Sequence, residues 1–318
     1  NCVEISLPDG SFCNLTDINA SALSDEGDLL EATEAATAIG TLQASMTDFN
    51  YLQPKWKQNC EREALLGVSL TGQAERWGLL GNGKVLQRSA RHALSINDLW
   101  ARKLGINAAA RIGTTKPSGS ASTYLGTTPG IHAAYDRWFL RRMQIDRSHP
   151  LAQYMIATFG ERDPCSDHPV ETHAEKPNLI VVAAPHVAPE AILASRESAI
   201  GLLMRQRHIR RHWIEESHRS GLNPHNVSAT CLYREHEKQQ ITDWLIENMD
   251  SIGGISFYPY HGSALHGQLP YQSIDSAAFD LWCDKFNNVH IDFQNIDFSH
   301  HEDQRVQELA CAGGQCLI

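Results

Sequence analysis

No apolar stretch in this chain approaches the roughly 20 residues needed to cross a bilayer. No basic segment followed by an apolar core opens it, so no secretory signal is read and a cytoplasmic protein is expected. Basic residues are in the minority, 27 Lys and Arg against 37 Asp and Glu, for a formal net charge of -10. That balance argues against general nucleic-acid binding, although a local basic pocket for a phosphorylated small molecule remains compatible with it. Sixteen histidines are present, yet H-E-x-x-H and comparable ligand spacings are missing. Internal repeats, low-complexity runs and clear linkers are absent as well.

What is there is a globular composition: 318 residues, 42% hydrophobic, enough for one large domain or two small ones. Eight cysteines occur, at Cys2, Cys13, Cys60, Cys165, Cys231, Cys283, Cys311 and Cys316. Without secretion they are expected to be reduced, and so buried, catalytic or metal-binding. The sequons at Asn14, Asn19 and Asn226 carry no weight for the same reason. The chain starts without Met on a patterned apolar segment, which leads to the expectation of a fragment, or of a chain released from something larger.

Residues 2–13 read as an extended, hairpin-like element about Pro8-Asp9-Gly10. Helical patterns cover 28–49, 54–66 and 84–104, with a break expected at Ser95-Ile96-Asn97. Residues 111–130 form a Gly/Ser/Thr/Pro loop region. Trp138 to Met143 is a short amphipathic segment rich in Arg, and 161–177 is a polar loop. Residues 178–185 read as a buried strand, 197–219 as a long basic helix, 227–233 as a strand and 235–250 as a helix ending at Gly253-Gly254. A strand over 255–260 and a helix over 275–287 follow. Strands alternating with helices predict an α/β fold with parallel strands.

Chemistry concentrates in three places. Cys2 and Glu4, two apart on an extended segment, would share a face and place a sulfur beside a carboxylate. An inert core Cys beside a surface Glu is the plainer reading. Pro117-Ser118-Gly119-Ser120-Ala121-Ser122 has the small residues and hydroxyls that let backbone N–H groups approach a phosphate, or it is a mobile loop. Cys311 and Cys316, separated by a Gly-Gly segment, form a flexible dithiol, or half of a zinc site completed by His300 or His301. Gly78 to Val85 nearly matches a phosphate-binding P-loop, but Val85 stands where Ser or Thr must meet magnesium. The basic run from Arg205 to His212 reads as a solvated helix face.

The string NCVEISLPDGSFCNLTDIN resembles the finger loop of ribonucleotide reductases, N-x-C-x-E-I followed by C-N-L. KPSGSASTYLGTTPGIH is similar to their phosphate-binding loop, and GTTPGIHAAYDRWFLRRMQI is most like the adenosylcobalamin-dependent, triphosphate-reducing branch. NVSATCLYREHEKQQITDWLIENMDSIGGISFYPY resembles later barrel strands, and ELACAGGQCLI the redox tail. The resemblance implies Cys2 as the thiyl radical that abstracts the 3′ hydrogen. It implies Glu4 as the base for the 3′ hydroxyl, and Cys13 as one of two reducing thiols, its partner lying upstream. Cys311 and Cys316 would re-reduce the active-site disulfide and pass electrons from thioredoxin or a similar dithiol. Arg141 and Arg142, which follow the phosphate loop, would support charge near the phosphates or equally lie on a solvated face. Asn1 stands one residue before Cys2, where the family has its Asn two before. Asn1 is given no role, and an Asn directly before Cys also fits an intein boundary.

The implied fold is the second half of the ten-stranded α/β reductase barrel over 1–293, with the finger at 1–13 and the phosphate loop at 117–122. A flexible tail would cover 294–318. The implied partners are a ribonucleoside triphosphate, adenosylcobalamin, a thioredoxin-like dithiol and the missing N-terminal half, with no membrane and no nucleic acid. A diphosphate reductase with an iron-dependent radical partner, and a non-catalytic zinc or redox-binding protein, are the alternatives.

Overall fold

The computed structural model describes residues 2–188, 190–260, 268–287 and 289–296. In chain order the elements are β1 (Asn14–Asn19), α1 (Glu26–Ala44), α2 (Pro54–Glu63), β2 (Leu66–Thr71), α3 (Trp77–Leu80), α4 (Gly83–Leu104), β3 (Gly113–Thr114) and α5 (Ala121–Leu125). Then come β4 (Trp138–Asp146), α6 (Pro150–Phe159), β5 (Val170–Thr172), β6 (Leu179–Val187) and α7 (Ala199–Ile209). β7 (Thr230–Tyr233), α8 (Lys238–Asn248), β8 (Ser256–Pro259), β9 (Tyr271–Ser273) and α9 (Ser276–Asn287) complete the series. These residues form two compact units, one from the described residues up to Ala134 with Glu190–Tyr260, the other from residues 135–188 with the described residues from 268 onward.

The first unit is built on parallel strands in the order β1-β2-β3, with Asp17 opposite Ser69 and Ser69 opposite Thr114. A parallel bridge joins Thr115 to Val227, and β7 pairs in parallel with β8. Parallel neighbours need crossovers, and helices supply them. Ile18, Leu66, Val68 and Leu70 are buried in one core with Leu29 of α1, Leu86 and Ala90 of α4, and Leu202 and Leu203 of α7. Every second residue of β1 and β2 therefore points at helices. The alternate residues, Leu15, Asp17, Gly67 and Ser69, take the other face.

Helix ends follow local chemistry. Asp25 caps α1 by accepting from the N–H groups of Gly27 and Asp28, and Asn82 caps α4 through Lys84. Gly105 closes α4 in the left-handed conformation that glycine adopts without strain. α4 runs unbroken through Ser95-Ile96-Asn97. Asn97 does not end the helix because its side chain donates to Thr41 Oγ1 and accepts from the Ala109 N–H. The P-loop-like stretch is α3 plus the start of α4, with no strand directly before it.

The basic stretch departs from the helix expected over 197–219. After α7 the chain widens into a π turn at Arg210–Ile214 and tightens into a 3-10 turn at Glu215–Ser217. Trp213 of the wide turn is fully buried, and its Nε1–H donates to the carbonyls of Val68 and Thr114. Nor is this stretch a solvated face. Arg205 is 5% exposed and pairs with Glu197 at 2.5 Å, His208 Nε2 meets the Leu80 carbonyl, and Arg207 is bonded to Asn248.

The second unit corrects the expectation of parallel strands throughout. Its sheet, ordered β5-β6-β4-β9, is antiparallel at every pairing. The strand read at 178–185 is β6, which pairs along its whole length with β4, the Arg-rich segment. Leu140, Ala183 and Trp282 form one small core of this unit, and Ala152, Met155, Val170, Ile180 and Val182 another. No helix among the described residues is long and apolar enough to cross a membrane.

Candidate active site

The segment leading into β1 is not a hairpin. Residues 2–13 form no strand pairing, and Val3 adopts φ +58, a left-handed conformation that costs a β-branched residue free energy. With that turn between them, Cys2 and Glu4 do not alternate as strand residues would. The segment is held by other parts of the first unit instead. The Asn226 N–H and the Thr114 hydroxyl both donate to the Glu4 carbonyl, at 2.9 and 2.8 Å. The Ser6 N–H donates to His225 Nδ1, and the Ser6 hydroxyl to the Pro224 carbonyl. Arg111 donates to the Ser6 carbonyl and to the Glu63 carboxylate.

This fold-back brings Glu4 and Cys13 together. Burial pushes the Cys13 thiol up to about 12, and the charges of Glu4 and then Cys60 push it the same way. Cys13 is a thiol, not a thiolate, at neutral pH. A Cβ added at Gly67 would stand 2.3 Å from Leu15 Cδ2, 3.0 Å from Ile5 Cδ1 and 3.3 Å from Cys13 Sγ. Glycine at that place in β2 is what allows the segment to pack against the sheet face. Cys2 is half-buried on the far side of the Val3 turn. None of the described cysteines is in a disulfide.

The Pro117–Ser122 loop follows β3 directly and bends back over the same sheet face. Asp17 of β1 accepts from Ser118 Oγ at 2.6 Å and from Lys116 Nζ at 3.4 Å, and the Lys116 N–H donates to Ser69 Oγ. Ser118 is left-handed at φ +53. Gly130 is left-handed as well and presses on the loop from behind, where a Cβ would stand 2.3 Å from the Lys116 carbonyl. The expected hydroxyl donors are partly committed elsewhere: Ser118 to Asp17, and Ser122 to the Gly119 carbonyl. α5 is only five residues long, so the backbone N–H groups of Ser120 and Ala121 and the Lys116 ammonium are the loop's main offer to an anion.

Glu4, Cys13, Asp17 and the Lys116–Ser122 loop thus share one sheet face of the first unit. Arg141 and Arg142 lie in β4 of the second unit, Arg141 across the Tyr271 ring and Arg142 buried. Cys311, Cys316, His300, His301 and Asn1 lie outside the described residues. Among the described residues no group of His, Cys, Asp or Glu could hold a metal ion. Sequence reasoning missed Asp17, Lys116, Thr114, His225 and Asn226. Period-two spacing from Cys13 through Leu15 marks Asp17, but nothing local marks Asn226.

No family model matches the chain. A solved B12-dependent (class II) ribonucleotide reductase superposes with a TM-score of 0.71 at 20% identity, over 89% of this chain and 41% of that one. The chain therefore has the fold of the matched part of that structure. Curated relatives named adenosylcobalamin-dependent ribonucleoside-triphosphate reductase align along the whole chain. That of Levilactobacillus brevis is 23% identical over 358 residues, covering 100% of this chain and 44% of the relative. That of Lactobacillus leichmannii is 20% identical over 356 residues, covering 100% and 45%. The chain spans about half the length of the curated relatives it matches.

Proposed function

We propose that this chain is the part of an adenosylcobalamin-dependent ribonucleoside-triphosphate reductase that carries the radical thiol, the base, one reducing thiol and the phosphate loop. One observation carries the reading. The finger segment, held at Thr114 of β3, and the Pro117–Ser122 loop, held at Asp17 of β1, lie more than a hundred residues apart in sequence and are anchored on one sheet face.

Each group suits its role. The Lys116–Ser122 loop holds the triphosphate by charge and backbone N–H groups. Glu4 takes the 3′-hydroxyl proton, for which a carboxylate must lie within hydrogen-bond reach. The Cys2 thiol gives up a hydrogen atom and as a radical removes the 3′ hydrogen. Adenosylcobalamin, when bound, supplies the organic radical that this thiol needs, and a half-buried thiol on a bent segment fits as its target. Cys13 delivers reducing equivalents together with a second thiol outside this chain. One proton leaves with the 2′ hydroxyl as water, a second hydrogen from the dithiol takes its place at C2′ as the two sulfurs close to a disulfide, and Cys2 and Glu4 then return the 3′ hydrogen and the hydroxyl proton. The un-ionised state of Cys13 suits this step, because a thiol can donate both proton and electron. Cys311 and Cys316 would return the pair to dithiol with electrons from thioredoxin or a similar partner. The barrel half over 1–293, the tail over 294–318 and a cytoplasmic setting belong to the same proposal.

The test uses the complete enzyme that contains this chain, with CTP, adenosylcobalamin and a dithiol. Deoxycytidine triphosphate should form, and Cys2→Ser should lower turnover by about a thousandfold or more. Cobalamin-independent turnover would overturn the class, and turnover retained by Cys2→Ser the role of that thiol. The present chain by itself is expected to make no deoxynucleotide.

A further inference from the structure

We propose that Thr114 and Asn226 are positioning residues: together they fix the turn at Val3, and with it the Cys2 thiol and the Glu4 carboxylate relative to Cys13. The inference rests on the reading of those three residues as the reacting groups.

Three segments meet at Asn226. Its N–H donates to the Glu4 carbonyl at 2.9 Å, and its carbonyl accepts from the Thr115 N–H at 3.3 Å and from Thr114 Oγ1 at 3.1 Å. Its side-chain Nδ2 donates to the Gly254 carbonyl at 2.9 Å. Thr114 Oγ1 lies between two carbonyls, 2.8 Å from Glu4 and 3.1 Å from Asn226. Thr114 is 0% exposed and Asn226 8%, so water cannot replace these partners. The loop after α8 closes the arrangement. A Cβ at Gly253 would stand 1.8 Å from Asn226 Oδ1, and one at Gly254 would stand 3.3 Å from Val3 Cγ1. The left-handed Val3 is thus wedged between this loop and the pair of donors on Glu4.

The physical reason for such a clasp is the strain at Val3. A β-branched residue leaves the left-handed region unless its surroundings hold it there. Neither Thr114 nor Asn226 offers a side chain to a substrate: the Thr114 hydroxyl is used between two carbonyls, and the Asn226 amide is turned to the loop. They act through Glu4 and Val3.

Cys13 reports on the clasp, because Ile5, the residue after Glu4, and the Cys13 thiol both approach the same point over Gly67. Cys231, in the core with its thiol on the Ala199 carbonyl, reports on global opening. Iodoacetamide labelling of both, resolved by peptide mass spectrometry, is measured on the parent chain, Thr114→Val, Thr114→Ser and Gly253→Ala. Cys13 should react about tenfold faster in Thr114→Val and in Gly253→Ala, and at the parental rate in Thr114→Ser, which keeps the hydroxyl. Cys231 should stay unlabelled in all four. Parental Cys13 rates in both Thr114→Val and Gly253→Ala would overturn the inference. So would a joint rise at Cys13 and Cys231, which would mean that the contacts hold the whole unit and not the segment. In the complete enzyme, Thr114→Val should lower kcat about tenfold with KM for the nucleotide within about twofold, and Thr114→Ser should restore it. Faster labelling with unchanged kcat would leave the clasp standing and remove the catalytic reading of Cys2 and Glu4.

Discussion

Cys13 shows how much a residue's chemistry depends on its surroundings. Burial and the neighbouring Glu4 carboxylate hold it un-ionised, whereas Cys165 is exposed at a left-handed turn. Since the thiolate is the nucleophile, iodoacetamide at pH 8 should label Cys165 at least about tenfold faster than Cys13. Equal rates, read by peptide mass spectrometry, would contradict the placement of Ile5 beside Cys13 at Gly67. Ser118 makes a second case. Its hydroxyl is a donor to the Asp17 carboxylate at 2.6 Å, and Asp17 is largely buried. Ser118→Ala should destabilise the first unit by about 1.5–3 kcal/mol, the range for a bond to a charged group. Urea melts would check this, and an unchanged midpoint would mean that Lys116 alone satisfies Asp17.

Among the elements, β2 is central. Its six residues are all buried, with Leu66, Val68 and Leu70 toward the helices and Gly67, Ser69 and Thr71 toward the candidate site. One strand thus serves two tasks by its period of two. Gly67→Ala places a methyl 2.3 Å from Leu15 and should cost about 1–3 kcal/mol by overpacking. A thermal melt measures that cost. A shift smaller than 1 °C would show that Leu15 and Ile5 can move aside, and that the segment is loosely seated. The second unit's sheet follows different logic. Its strands are antiparallel, and α6 and α9 each supply side chains to a separate small core.

At the scale of the whole molecule, acid stability follows from two buried histidines of the first unit. Burial lowers His132 and His225 to about 4, from an ordinary value of 6.5. Each is neutral and fixed in one tautomer. His132 Nε2 accepts from the Thr230 N–H while Nδ1 meets the Pro129 carbonyl; His225 Nδ1 accepts from Ser6 while Nε2 meets the Leu66 carbonyl. The unfolded chain binds these protons at higher pH than the folded one. Their contribution to stability is therefore complete above about pH 6.5, and is lost as pH falls from there through about 4. Tm should drop by on the order of 5 °C or more across that window, and His132→Gln should flatten the slope. A pH-independent Tm between 6.5 and 4 would contradict the burial of both rings.

Much of this was legible in the residues. The Gly/Ser loop at 117–122, the helices at 54–63 and 83–104 and the strands at 179–187 and 256–259 follow from local pattern, because caps, periodicity and turn residues act within a few positions of themselves. β2 was obscured because the helical pattern of 54–66 runs into it, although its Leu-Gly-Val-Ser-Leu-Thr alternation has the strand period. Sequence alone set which residue types are available: a thiol and a carboxylate two apart, a second thiol eleven further on, and a loop of small residues. Tertiary structure alone decided that Val3 turns left-handed, that Glu4 lies by Cys13, that Asp17 takes up Ser118 and Lys116, and that Asn226 reaches Glu4 from 222 residues away. Hydrogen bonds and charges act through space at a few ångströms, and a chain's local pattern holds no record of which distant residue will fill that space.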